Sequence, residues 1–118
     1  MPNLLVVDDS WLSRNMVSKI LKGGGHDVRE AVNGIDALAK LEEEAPDCMV
    51  LDLLMPELDG FGVLEGMQEK SISLPVIVMS ADIQESSKER CLLLGARCVL
   101  NKPPNEDELI GAIGEALG

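Results

Sequence analysis

Asp8-Asp9, Asp52, Ser80 and Lys102 each stand at or just past the end of a short apolar run: Leu4–Val7, Cys48–Leu51, Val76–Met79 and Cys98–Leu100. If these runs are parallel strands with the first and third adjacent, three carboxylates converge at one edge with a hydroxyl and an ammonium nearby. Two carboxylates about 4 Å apart repel by roughly 4 kcal/mol at an effective dielectric near 20. Three in one crevice therefore require protonation or a cation. The donors are hard oxygens, which suits Mg²⁺, an ion that keeps several waters and takes one or two carboxylates together with a phosphate oxygen. Zinc is disfavoured, because no His or Cys stands at these run ends. A carboxylate beside such an ion, an ammonium and a hydroxyl is equipped to attack phosphorus, since phosphoryl transfer asks mainly for alignment and for charge stabilisation on the equatorial oxygens. Mg²⁺, Lys102 and Ser80 can each take one oxygen. The product is an acyl phosphate on an aspartate, and the spacing alone leaves open which one.

Placing these groups at one edge requires strands and helices in alternation, and the apolar pattern supplies them. After the first run, Leu12, Met16, Val17, Ile20 and Leu21 recur at spacings of three and four, predicting a helix from Trp11 to Leu21 that Gly23-Gly24-Gly25 stops. Asp27–Ala31 alternates weakly, as an edge strand does. Asn33-Gly34 opens a second helix with Ile35, Leu38 and Leu41 on its face, ending before Pro46. The loop Leu53–Gly60 leads into a helix carrying Phe61, Val63, Leu64 and Met67. Asp82 with Glu85 predicts a capping box for a helix running to Leu94, with Gly95 just past its end. Asn105 with Glu108 caps a last helix that buries Leu109, Ile113 and Leu117. The sum is an α/β fold, (βα)₅, with parallel neighbours, right-handed crossovers and helices on both faces.

The 118 residues suffice for one core and leave no room for a second, so residues 1–118 are expected to form a single domain with no output domain in the chain. A net charge of −11 would repel phosphate backbones and anionic membrane surfaces, which argues against direct nucleic-acid binding. The sequence has no membrane-length apolar run and no signal-peptide start, so a cytoplasmic location is expected. Cys48, Cys91 and Cys98 are odd in number, form no C-x-x-C pair and lie in or beside apolar segments, as reduced core thiols do.

In order and spacing, Asp8-Asp9-Ser10, Asp52-Leu53-Leu54-Met55-Pro56 with Asp59-Gly60, Ser80-Ala81 and Lys102-Pro103 resemble the receiver domain of two-component response regulators, across essentially the whole chain. The resemblance implies a flavodoxin-like sheet in strand order 2-1-3-4-5. It also implies Asp52 as phosphoacceptor, Asp9 as a direct Mg²⁺ ligand, Asp8 as a ligand through water and the Leu54 carbonyl as a further ligand. Lys102 and Ser80 would hold the phosphoryl group, and the Lys102–Pro103 peptide would be cis. A histidine kinase or phosphotransfer protein would be the donor, and a downstream protein the target. The chain departs from the family at Val99, where a Tyr or Phe usually forms part of the switch with the hydroxyl residue. The aromatic form of that switch is absent.

Plainer readings stand beside these. Asp8-Asp9-Ser10 could be only a helix cap, Ser80 a turn residue and Lys102 a surface lysine. Leu92, Leu93 and Leu94 cannot all face one core, so part of this run could be an exposed docking surface. Other function classes also compete. A phosphohydrolase of the haloacid dehalogenase type needs an acid where Leu54 stands. A flavodoxin-like flavin binder would not place acids in its first phosphate loop. A receiver-like interaction module that is never phosphorylated would tolerate Val99.

Overall fold

The computed structural model describes residues 2–81 and 84–118. Five strands, β1 (Asn3–Val7), β2 (Asp27–Ala31), β3 (Cys48–Asp52), β4 (Val76–Ser80) and β5 (Cys98–Asn101), alternate with five helices. The helices are α1 (Trp11–Gly23), α2 (Gly34–Glu43), α3 (Gly60–Glu69), α4 (Glu85–Leu93) and α5 (Glu106–Leu117). All pairings are parallel, in the order β2-β1-β3-β4-β5. Every residue of β3 and β4 is buried, as unbroken apolar runs require of strands covered on both faces. β2 lies at an edge and shows the weaker pattern expected of it.

Alternation along each strand divides the core into two layers. Leu5, Val7, Met49, Leu51 and Val78 pack with Leu41, Val63, Leu64 and Cys91 from α2, α3 and α4. Leu4, Val6, Val50, Ile77 and Met79 pack with Val17, Leu21, Leu109 and Ile113 from α1 and α5. Cys48 and Cys91 are buried free thiols and Cys98 is half-buried. Burial pushes the Cys48 thiol up to about 12, which keeps it protonated and unreactive.

Two expected core positions are exposed: Leu12 at 72% and Ile35 at 57%. Each is the second residue of a helix that starts beyond the carboxyl edge of the sheet, so the first turn overhangs the strands. Helix α4 starts at Glu85, and Gln84 before it makes no capping bond through its side chain. The box expected on Asp82 lies outside the described residues. Gly95 follows α4 with φ +106°, where a side chain would be strained. Leu93 is 85% exposed, whereas Leu94 packs against the core, so the leucine run is split between surface and interior. Among the described residues, no helix is long and apolar enough to cross a membrane.

Candidate functional site

Strand β1 ends at Val7, but its pairing continues one residue further: the Asp8 amide donates to the Ala31 carbonyl at 3.2 Å. This draws Asp8 fully into the interior. Its Oδ1 accepts from the Ser10 amide at 2.9 Å. The cap of α1 belongs to Ser10, whose hydroxyl accepts from the Ser13 amide at 3.3 Å. The acid pair is therefore not the helix cap. Asp9 is exposed at the rim.

Asp52 closes β3 and is 3% exposed. Behind it the chain turns tightly, with the Gly60 amide donating to the Leu53 carbonyl at 2.8 Å. A Cβ on Gly60 would lie 2.8 Å from the Leu53 Cα and 3.0 Å from the Asp52 carbonyl oxygen, so only glycine seats α3 against the main chain of the site. Asp59 caps α3 by accepting from the Gly62 amide at 2.9 Å.

Lys102 links the acids. Its Nζ donates to Asp52 Oδ2 at 3.0 Å and forms an ion pair with Asp8 Oδ2, also at 3.0 Å. The Lys102 amide donates to the Ser80 carbonyl at 2.9 Å, joining the lysine to the end of β4. Ser80 is 1% exposed. The Lys102–Pro103 peptide is cis. The Leu54 side chain is 61% exposed beside the site. Val99, half-buried against the core, pairs with Val78 and brings no ring.

One carboxylate oxygen from each of Asp8, Asp9 and Asp52 lies within 4.8 Å of the others. Asp8 Oδ2, though charge-paired with Lys102, is buried and accepts no hydrogen bond. Three hard oxygens around an incompletely satisfied buried carboxylate fit a hard divalent cation. Burial, and then the charge of Asp8, push the Asp52 carboxyl up to about 6, against the opposing pull of Lys102. Burial also works against the charge of Lys102, but its contacts with Asp52 and Asp8 more than offset this and hold its pKa above the ordinary lysine value.

The edge read from the sequence is thus assembled around Asp8, Asp9, Asp52, Ser80 and Lys102. The sequence reading missed Arg14, whose side chain is 12% exposed and whose Nη1 donates to the Asp8 carbonyl at 2.9 Å. A basic residue four positions after the helix-capping serine is the one available signal, and it does not distinguish a buried arginine from a solvated one.

The family model of the response regulator receiver domain matches residues 4–114. The chemotaxis protein CheY of Listeria monocytogenes is 36% identical over 98% of this chain and 98% of its own length. The protein-glutamate methylesterase/protein-glutamine glutaminase of Treponema denticola is 41% identical over 97% of this chain, which spans 32% of that protein. Among solved structures, the Francisella response regulator 1452 receiver domain superposes with a TM-score of 0.93 at 31% identity, covering 99% of this chain and 97% of that one. CheY in the CheX–CheY–BeF₃–Mg²⁺ complex of Borrelia burgdorferi superposes at 0.92 with 27% identity, covering 98% and 89%. With five parallel strands in order 2-1-3-4-5 and its acids gathered at their carboxyl ends, the chain belongs to the response regulator receiver domain family.

Proposed function

We propose that Asp52 accepts a phosphoryl group from a histidine kinase or a phosphotransfer protein, and that the altered surface then engages a downstream protein. The observation that carries this reading is the placement of one ammonium 3.0 Å from both Asp52 and Asp8, with Asp9 completing a triad of acids. A Mg²⁺ ion held by Asp8, Asp9, Asp52 and the Leu54 carbonyl would neutralise charge on the phosphoryl oxygens and on the acids. An Asp52 oxygen attacks phosphorus, the phosphorus–nitrogen bond of the donor phosphohistidine breaks, and the imidazole departs with the electron pair. Lys102 turns from Asp52 to one phosphoryl oxygen, and the Ser80 hydroxyl takes another.

The added charge, close to two negative units, biases the segment between Ser80 and α4. With Val99 lacking a ring, that bias cannot be passed on by an aromatic side chain. The donor must cover the rim, where Trp11 (67% exposed), Leu12 and Leu54 present apolar surface. Leu12, Met16 and Pro103 line a recess of 340 Å³ beside Lys102. The domain acts as one unit over residues 1–118, in the cytoplasm, as a signalling component whose only catalysis is its own phosphorylation and hydrolysis. Its net charge of −11 favours protein over nucleic-acid partners.

Treatment with acetyl phosphate and Mg²⁺ should add one acid-stable, base-labile phosphoryl group on the peptide containing Asp52, with Asp52→Asn abolishing it. Val99 favours one second reading, a receiver-like interaction module that is never phosphorylated. Failure of the wild-type chain to take up phosphate would establish that reading in its place. The phosphohydrolase alternative is disfavoured by Leu54, which stands where an acid would be needed.

A further inference from the structure

The carboxylate of Asp8 is fixed by the Ser10 amide and by Lys102, at 2.9 and 3.0 Å. Asp9 is different. It is exposed, and among the described residues no hydrogen bond or ion pair holds its side chain. Its direction therefore depends on the peptide that precedes it, and the carbonyl of that peptide is the group Arg14 holds. Arg14 Nη1 donates to the Asp8 carbonyl at 2.9 Å while Nε donates to Glu30 Oε1 at 2.7 Å. Glu30 lies on β2 and pairs with Val6 in the register, so the guanidinium spans from α1 to the edge strand and grips the Asp8–Asp9 peptide between them. Rotation of that peptide plane would swing the Asp9 carboxylate toward or away from Asp52.

We propose that Arg14, locked by Glu30, is a positioning residue for the cation site, holding the Asp8–Asp9 peptide so that Asp9 faces Asp52. The inference rests on the reading that this site binds Mg²⁺. A planar fork can make both bonds at once. A lysine, with a single nitrogen on a flexible stem, cannot hold both partners in that geometry. Partners that orient the ligands of a metal typically change its affinity 10- to 100-fold when lost.

The role can be separated from two simpler ones. If Arg14 acted only through charge, removing a cation near the site would tighten Mg²⁺ binding. If it only pinned α1 to β2, its loss would lower the melting temperature and leave affinity unchanged. Calorimetric titration of Mg²⁺ into the whole chain, with melts recorded without Mg²⁺, distinguishes these. Arg14→Gln should weaken Mg²⁺ binding about tenfold or more, Arg14→Lys by a smaller factor although its charge is kept, and Glu30→Gln in the same direction. The double variant should bind about as weakly as Arg14→Gln alone, since both changes release one peptide. Unchanged or tighter binding in the arginine variants of a chain whose wild type binds Mg²⁺ overturns the positioning role alone. A wild-type chain that binds no Mg²⁺ overturns the proposed function, and this inference with it. If Arg14→Gln does not fold, Arg14→Lys and Glu30→Gln carry the same test.

Discussion

The junction of β1 with α1 and the helix α4 are built on opposite terms. At the junction a fully buried aspartate accepts from a backbone amide and pairs with Lys102, Ser10 caps the helix, and Arg14 grips the intervening peptide. In helix α4, Gln84 makes no capping bond through its side chain, and Cys91 alone of the helix's residues is buried. It is tied to α3 by Arg90, which stacks 4.1 Å from the Phe61 ring centroid and lies 3.3 Å from Glu65. That ion pair is half exposed and adds little. The contrast separates two tasks: phosphoryl chemistry needs groups fixed in advance, whereas a response needs an element whose alternative positions differ little in energy. The junction is held by buried polar contacts of the kind the proposed chemistry requires, and α4 is held to the core by far fewer.

The largest expected effect that sharpens this contrast is in packing. Leu51, fully buried immediately before Asp52, should cost about 2–5 kcal/mol of stability when changed to Ala. Leu93→Ala, at an 85% exposed position on α4, should stay within about 0.5 kcal/mol. Denaturant unfolding of both variants checks this, and equal costs would break the comparison.

Next in size is the strain stored in the acids. The Asp52 carboxyl sits at about 6 in the folded chain against an ordinary 3.8. The native state then holds the proton that the unfolded state has already lost. Stability therefore falls as pH rises through that window, and the full cost is present above it. Without Mg²⁺ at neutral pH, Asp52→Asn should raise stability by roughly 2 kcal/mol, a melting temperature higher by several degrees. Saturating Mg²⁺ should narrow or reverse the gap, because it stabilises the wild-type chain preferentially. The smallest effect concerns the tie on α4. Arg90→Ala should speed amide exchange across Glu85–Leu93, at a cost below about 1 kcal/mol, while Mg²⁺ affinity stays unchanged.

Much of this was legible from local pattern. Unbroken apolar runs ending in Asp, Ser or Lys marked both the strands and the edge where chemistry gathers, and Asn33 and Asn105 marked helix starts that the structure confirms. Periodicity identifies α1 and α2 but not where each overhangs the sheet, so it assigns the exposed Leu12 and Ile35 to the core face. Beyond that edge, contacts between side chains of distant segments leave no trace in the pattern. Arg14 meets Glu30 sixteen residues away across a helix and an edge strand, and Arg90 meets Glu65 and Phe61 on another helix. A charged side chain reads the same in sequence whether it is solvated or gripping a peptide.

The central claim is that mutually repelling acids share this rim because a divalent cation joins them and readies Asp52. Calorimetric titration of Mg²⁺ into the wild-type chain from about pH 8 down to about pH 5 tests it most directly. The account predicts saturable binding of one ion, weakening as pH falls through about 6, where Asp52 takes up its proton. Absence of saturable binding, or an affinity that does not change across that range, would contradict it.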